Sequence, residues 1–298
     1  MKGVLLVDKP TGMTSHDVVD RVRKASGFRK IGHTGTLDPG ATGLLVLCLG
    51  AATRLSEFLT GLDKVYEGTM TFGIVTDSYD MDGTVQQERP VPPITADGLQ
   101  TIFDSFTGDI MQVPPMVSAV KVGGKRLYQL ARKGQIVERE PRKVTVREFS
   151  LLDLDPPHAR FRVRCTRGTY ARVLAFDTGE ILGCGATLSS LRRTEVGAFK
   201  LEDACTLDSL TCREDVQKRL LSVDNALDLP QVVVKPGGKR TVESGGTLGL
   251  LDIHGECPVD SGWVQVKAEN GELLALAEVE AIPFGVRIQP KRVLCGQS

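Results

Sequence analysis

The sequence lacks the patterns that mark a membrane protein, a disulfide-linked domain or a metalloprotein. Its most apolar run, Leu44–Leu49, is far shorter than the roughly 20 residues that span a bilayer. The N-terminus reaches Asp8 and Pro10 too early to contain the apolar stretch of a signal peptide. The seven cysteines are scattered without a C-x-x-C pair, and the four histidines form no H-x-x-x-H pair. We therefore expect a soluble, cytoplasmic protein with reduced thiols and no metal.

The net charge is zero, which by itself gives no sign of a polyanionic partner. The charge is nevertheless uneven along the chain. Residues 121–172 carry 14 basic and 5 acidic side chains, whereas the segments on either side are both acidic. A localised basic segment is typical of a nucleic-acid site, although a solvated, salt-bridged surface explains the charges equally well.

The order of predicted elements favours an α+β fold, because strands and helices interleave without a βαβ repeat. Thr14 or Ser15 can cap the first helix, and Gly27 can end it. We predict strands over 4–7, 44–49, 65–74, 116–121, 144–152 and 159–165, and helices over 15–25, 54–59, 95–107, 170–182 and 213–227.

Two composition changes predict the domain organisation. A boundary near Leu229-Pro230 would separate a large domain, 1–229, from a small one, 230–298. In the small domain, short Val-rich runs alternate with Gly-rich turns, which is the pattern of a small β-barrel. Within the large domain, the segment 123–143 is rich in glycine at its start and in charge at both ends, so we expect an exposed excursion.

The glycine-rich stretch 32–45 presents one acid, Asp38, and one histidine, His33. Its glycines permit tight turns or the close approach of a ligand, and Pro39 fixes the backbone after the acid. The spacing fits neither a phosphate-binding P-loop nor a dinucleotide fold. A lone Asp in a turn is usually a cap or an Asx-turn, so the residues alone leave a structural and a catalytic role open.

The same stretch, G-H-T-G-T-L-D-P-G-A-T-G-L-L, resembles nearly residue for residue the motif of the bacterial tRNA pseudouridine-55 synthases, the TruB family. The resemblance covers about residues 3–200, and the tail is similar to the family's small PUA-like domain, with weaker motifs. Gly40 and Ala171 stand where bulkier residues are commoner. Further segments resemble the family's motifs in the same order: K-V-Y-E-G at 64–68, T-D-S-Y-D-M-D-G at 76–83, P-P-M-V-S-A-V-K at 114–121, and G-T-Y-A-R at 168–172.

The resemblance implies a pseudouridine synthase fold, with a mixed or antiparallel sheet, flanking helices and a C-terminal PUA-like β-barrel. It also implies an isomerase that acts on uridine 55 in the T loop of tRNA without any cofactor. The uridine would be flipped out of its stack before its glycosidic bond is broken and re-formed through C5. Asp38 would be the essential carboxylate, with Tyr66 stacking on the flipped base. Arg172 would be the cation that keeps the pKa of Asp38 low.

Other residues carried over from the family would bind the substrate. His33 would fill the space that extruded nucleotides leave, while Tyr170 and Leu191 would line the pocket. The basic residues of the 123–143 segment would contact phosphates without reading the base sequence. The full set expected to bind RNA is His33, Tyr170, Leu191, Lys64, Lys125, Arg126 and Arg142.

Two other functions are compatible with the sequence. One is a tRNA-folding or RNA-binding module without catalysis, against which the intact set of Asp38, Tyr66 and Arg172 argues. The other is a guide-RNA-dependent synthase, which would require protein partners. The compact chain and its 123–143 excursion favour direct recognition of the tRNA T stem-loop, with no obligate protein partner and no membrane.

Overall fold

The computed structural model describes residues 2–118, 120–131, 134–135, 137–224 and 226–295. For four further residues, Lys121, Val122, Arg126 and Tyr128, only the backbone is described. No helix within these ranges is long and apolar enough to cross a membrane.

The described residues form nineteen strands and seven α-helices. The helices are α1 (Ser15–Ser26), α2 (Ser56–Gly61), α3 (Ala96–Ser105), α4 (Leu127–Ala131), α5 (Ala171–Ile181), α6 (Arg213–Lys218) and α7 (Gly238–Glu243). The strands of the first half are β1 (Gly3–Lys9), β2 (Ile31–His33), β3 (Thr42–Leu49), β4 (Lys64–Phe72), β5 (Ile74–Thr76), β6 (Val85–Glu88), β7 (Gly108–Gln112), β8 (Lys121–Val122) and β9 (Lys125–Arg126). The remaining strands are β10 (Arg142–Asp155), β11 (His158–Cys165), β12 (Ala186–Val196), β13 (Phe199–Lys200), β14 (Cys205–Thr206), β15 (Gln231–Val234), β16 (Ile253–His254), β17 (Trp263–Lys267), β18 (Leu273–Ile282) and β19 (Gly285–Val293).

One mixed sheet of ten strands forms the centre of the molecule. Its order is β14-β1-β3-β12-β4-β11-β10-β7, with β2 added beside β3 and β13 beside β12. Most pairs are antiparallel, but β1 with β14 and β3 with β12 are parallel. Apolar side chains of α3 and α5, such as Phe103 and Leu174, are buried with Phe161 of β11 in one core cluster. The α+β prediction is confirmed.

Helix α1 shows why the local sequence folds as it does. The Thr14 side chain accepts from the backbone of Asp17, and the Asp17 side chain accepts from the backbone of Thr14, so the two form a capping box. Gly27 ends the helix in the left-handed region at φ 68°. The apolar face of α1, with Val18 and Val22, packs beneath β1 and β3. Both predicted ends of this helix are confirmed.

The C-terminal residues form a second sheet, in the order β16-β15-β17-β18-β19, which curls into a half-barrel consistent with a PUA-like domain. Its own core contains Val264 and Leu274 among other apolar residues. Leu273 and Leu276 instead belong to a core cluster that includes Val4 of the large sheet. The second sheet therefore shares a hydrophobic core with the ten-stranded sheet.

Two predicted elements are wrong. Residues 116–118 are bends rather than a strand, and of the described residues of this stretch Lys121 pairs, in a hairpin with Lys125–Arg126. The helix predicted over 213–227 ends at Lys218. The 123–143 segment is exposed at most of its described residues, as predicted, although Leu127 and Leu130 of α4 are buried.

Candidate active site

The loop between β2 and β3 carries Asp38 and is held on both sides of it. The Ser15 hydroxyl accepts from the Leu37 amide at 2.8 Å and donates to the Leu37 carbonyl at 3.2 Å. The buried Lys9 ammonium donates to the carbonyl of Pro39 at 3.3 Å. Because both neighbours of Asp38 are tied to other elements, the carboxylate is held in a defined position.

Arg172, at the start of α5, bridges two carboxylates. Its Nη2 lies 3.1 Å from Oδ2 of Asp38, and its Nη1 lies 2.8 Å from Oδ2 of Asp80. Nη2 also donates to the carbonyl of Val117 at 2.7 Å. The Arg172 side chain is only 4% exposed, so this guanidinium is fixed by its partners rather than free in solvent.

The electrostatics of Asp38 differ from the prediction. Removal from water raises the pKa of its carboxyl above the ordinary value, and the Arg172 charge opposes this rise. Asp80 and Asp82 raise the pKa of Asp38 further, by repulsion. Half of the side chain (53%) is still reached by water, because the carboxylate lies in an open cavity. The neighbouring arginine was expected to lower this pKa overall, but burial outweighs it.

Tyr66 on β4 lies directly opposite Arg193 on β12. Arg193 is 1% exposed; its Nε donates to the Leu44 carbonyl at 2.7 Å and its Nη2 to the Gly35 carbonyl at 3.1 Å. Burial raises the pKa of Tyr66, against the opposing charge and hydrogen bond of Arg193. Arg193 thus connects the Asp38 loop, β3 and the phenol of Tyr66.

A cavity of about 290 Å³ lies in front of these groups. Lys64 lines this cavity, and its Nζ donates to the carbonyls of Thr60 and Leu62, both at 2.6 Å. Burial lowers the pKa of Lys64 to about 8. The predicted site residues that line the cavity are Asp38, Lys64, Tyr66, Tyr170, Arg172 and Leu191.

Of the other predicted binding residues, His33, Lys125 and Arg142 do not line this cavity. His33 stands on β2, where burial lowers its pKa and leaves its Nδ1 without a hydrogen-bond partner. Lys125 is exposed in the β8–β9 hairpin, and Arg142 is exposed at the start of β10. The side chain of Arg126 lies outside the described residues.

Ion pairs partly neutralise the basic segment, residues 121–172, in the folded chain. Four of its side chains form ion pairs on or beside the sheet, and three of their partners lie outside the segment. The pairs are Lys143–Asp109 at 2.8 Å, Arg147–Asp63 at 3.3 Å, Arg162–Glu148 at 2.8 Å and Arg164–Glu195 at 3.0 Å. For these four side chains, on β10 and β11, the salt-bridged interpretation of the charge therefore holds.

Sequence reasoning assigned no role to Asp80 or Arg193. Asp80 lies within the motif at 76–83, but it is 92 residues from Arg172, and no spacing signals that contact. Arg193 is one of two adjacent arginines in a polar stretch that was not predicted to be a strand. A buried arginine is rare without partners, but its burial is visible only in the structure.

Solved structures identify the class of this fold. The chain is similar to a chain of a Cbf5-Nop10-Gar1 complex, with a TM-score of 0.78 and 28% identity, covering 99% of this chain and 85% of that chain. It is also similar to a chain of an H/ACA RNP bound to a substrate RNA containing 2′-deoxyuridine, with a TM-score of 0.76 and 26% identity over 98% of this chain and 85% of that one. The architecture is that of the pseudouridine synthases.

Sequence comparisons narrow this class to one family. The family model of the N-terminal domain of TruB family pseudouridylate synthases matches residues 23–171, and that of the tRNA pseudouridylate synthase B C-terminal domain matches 172–228. A relative from Opitutus terrae is 53% identical over 76% of this chain and 95% of its own length. A relative from Moorella thermoacetica is 42% identical over 98% and 99%. Both are named tRNA pseudouridine synthase B.

The chain therefore belongs to the TruB family of pseudouridylate synthases. It is an isomerase that forms pseudouridine from uridine in tRNA, as the resemblance of its motifs implied.

Proposed function

We propose that the chain converts uridine 55 in the T loop of tRNA to pseudouridine, with Asp38 as the essential carboxylate. The supporting observation is the ion pair of Asp38 with the buried Arg172, at a cavity that Tyr66 also lines. The uridine would leave the stacked loop and enter this cavity, at a cost of a few kcal/mol that the protein contacts must offset.

The chemistry requires a bond to C1′ of the ribose to be broken and another to be made. The N1–C1′ bond breaks, the uracil turns, C5 bonds to C1′, and the proton on C5 leaves while N1 gains one. Ionised Asp38 would attack C1′ or remove the proton at C2′, and Arg172 would hold it in place. Tyr66 would stack on the base and take part in a proton transfer at the late step. Leu191 and Tyr170 would form the walls of the pocket.

The remaining parts of the chain would hold the tRNA. Residues 1–229 would form the catalytic domain, with 123–143 as an insertion whose Lys125, Arg126 and Arg142 contact the phosphates of the T stem-loop. Residues 230–298 would be an RNA-binding PUA-like domain. Lys64 would contact the flipped nucleotide, and His33 would occupy space that it vacates. The enzyme would act in the cytoplasm without a protein partner.

An assay with a bare T stem-loop transcript and the purified chain alone tests this function. We expect pseudouridine at position 55 and at no other uridine, mapped by chemical modification and primer extension. A stem-loop with cytidine at position 55 is the matched control and should give no product. Absence of product from the bare stem-loop, with a preparation that modifies full-length tRNA, would contradict recognition of the T loop alone.

The insertion is tested by two exposed cations. Lys125→Ala and Arg142→Ala should each weaken stem-loop binding and reduce the slope of log K against log salt by about 1, since each removes one phosphate contact. The single-turnover rate at saturating enzyme should not change. Lys218→Ala, on the exposed surface of α6, is the matched loss of charge and should leave binding unaltered. Unchanged salt slopes for both variants would exclude the insertion from the interface.

A further inference from the structure

The acidic turn between β5 and β6 contains an unusual backbone conformation next to the catalytic pair. Among the residues that the structure describes, Tyr79 is the non-glycine residue with a positive φ, at +65°. A side chain in the left-handed region costs roughly 1–2 kcal/mol, so something in the fold must maintain this conformation. The next residue along the chain is Asp80, the second carboxylate on Arg172.

Two consecutive residues of this turn contact two residues of α5. The Tyr79 ring is stacked on Phe176, with ring centroids 4.2 Å apart and planes at 28°. Asp80 pairs with Arg172, one helical turn before Phe176 on the same face of α5. The stack and the ion pair therefore act side by side on one helix.

The backbone around Asp80 is held as tightly as its side chain. The Leu188 amide donates to the Tyr79 carbonyl at 3.0 Å, and the Met81 amide donates to the Leu188 carbonyl at 3.2 Å, so two bonds to β12 bracket Asp80. The Ser78 hydroxyl donates to Oδ1 of Asp80 at 2.5 Å, which leaves Oδ2 for Arg172. Neither Tyr79 nor Phe176 lines the cavity, so neither ring meets the substrate there.

We infer that Tyr79 is a positioning residue for the isomerisation: its stack on Phe176 sustains the left-handed turn that presents Asp80 to Arg172, and through Arg172 it fixes Asp38. This inference rests on the proposed role of Asp38. Without the stack, the strained turn relaxes, Asp80 leaves Arg172, and the guanidinium loses one of the two carboxylates that orient it. Neither ring lines the cavity, and the cations proposed to hold the tRNA, Lys125 and Arg142, lie on β9 and β10, so tRNA binding should persist.

Three substitutions at Tyr79 distinguish the effect of the aromatic ring on the rate from the effect of the strained backbone. Tyr79→Ala removes the stack and keeps the strain, so the single-turnover rate should fall about tenfold. Tyr79→Phe keeps the stack, and its rate should stay within about twofold of wild type. Tyr79→Gly removes the ring, but glycine adopts a positive φ freely, so its rate should lie clearly above that of the alanine variant.

The measurement is tritium release from tRNA labelled at C5 of uridine, with enzyme in excess, alongside Kd for tRNA and the thermal midpoint. We expect the loss in Tyr79→Ala to appear in the rate and not in Kd, at a temperature where every variant is folded. A wild-type rate for Tyr79→Ala, a loss confined to Kd, or equal losses in the glycine and alanine variants would overturn the inference. Asp38→Asn is assayed in parallel: if it is inactive while Tyr79→Ala is fully active, only the inference fails, whereas an active Asp38→Asn removes the proposed function itself.

Discussion

Asp38→Asn should reduce the single-turnover rate of pseudouridine formation by at least about 10³-fold, while Kd for tRNA changes less than about twofold. Asparagine has nearly the same shape as aspartate, so the cavity and its contacts with RNA persist. It cannot ionise, and a neutral amide neither attacks C1′ nor removes a proton from C2′. The readouts are tritium release from C5-labelled tRNA and filter binding of the same tRNA.

The control for Asp38→Asn is Asp153→Asn, an identical change at an exposed position of β10 that does not line the cavity. It should retain the wild-type rate. Substantial turnover by Asp38→Asn would contradict the assignment of the carboxylate. If the inactive variant still accelerates tRNA folding, the chain has a second, non-catalytic activity, namely that of a tRNA-folding module.

In a profile of the wild-type rate against pH, the acid limb is the fall of the rate at low pH. This fall should occur at a pH above the titration range of an ordinary aspartate. Burial raises the pKa of Asp38, and only the ionised form reacts, so the rate falls as the pH drops through that raised pKa.

Short-range signals in the sequence predicted the local structure well. Helix α1 could be predicted from both ends, because a capping residue and a left-handed glycine are properties of the nearest neighbours. Strand β12 was missed although it lies in the middle of the sheet. Its run of Ser189, Ser190, Arg192 and Arg193 breaks the apolar alternation that indicates a strand.

The polar residues of β12 are explained only by contacts from distant parts of the chain. Arg193 is accommodated in the interior because it donates to the carbonyls of Gly35 and Leu44, about 150 residues earlier. The site shows the same division. The motif resemblance predicted Asp38, Tyr66 and Arg172. The ion pair of Asp80 with Arg172 depends instead on how the acidic turn packs against α5.

Arg172→Met should lower the rate at pH 7 by about 10²-fold or more and move the acid limb of the rate profile to higher pH. The reason is the sign of each neighbour's effect on Asp38. Arg172 is the group that most lowers the pKa of Asp38, whereas Asp80 raises it. Without the guanidinium, Asp38 faces the charges of Asp80 and Asp82 in one cavity, so fewer Asp38 side chains are ionised at neutral pH, and the rate should recover as the pH is raised.

The double variant Arg172→Met, Asp80→Asn distinguishes this charge effect from loss of structure. Removing the Asp80 charge removes a group that raises the pKa of Asp38, so the acid limb should return part of the way towards wild type. The measurement is the single-turnover rate against pH for wild type, the single variant and the double variant. Identical profiles for the single and double variants would show that Asp80 has no electrostatic influence on Asp38.

Arg172→Lys completes the test, because lysine keeps the positive charge of arginine but lacks its two separate Nη donors. A lysine ammonium presents one point charge, whereas the guanidinium reaches Asp38 and Asp80 with separate nitrogens at 3.1 and 2.8 Å. The acid limb of Arg172→Lys should therefore stay near that of wild type, while its plateau rate falls. A lowered plateau with an unshifted limb assigns to Arg172 the orientation of Asp38 as well as its ionisation. A full wild-type plateau would instead mean that a single positive charge at this position is sufficient, and that the bridge between the two carboxylates has no part in the reaction.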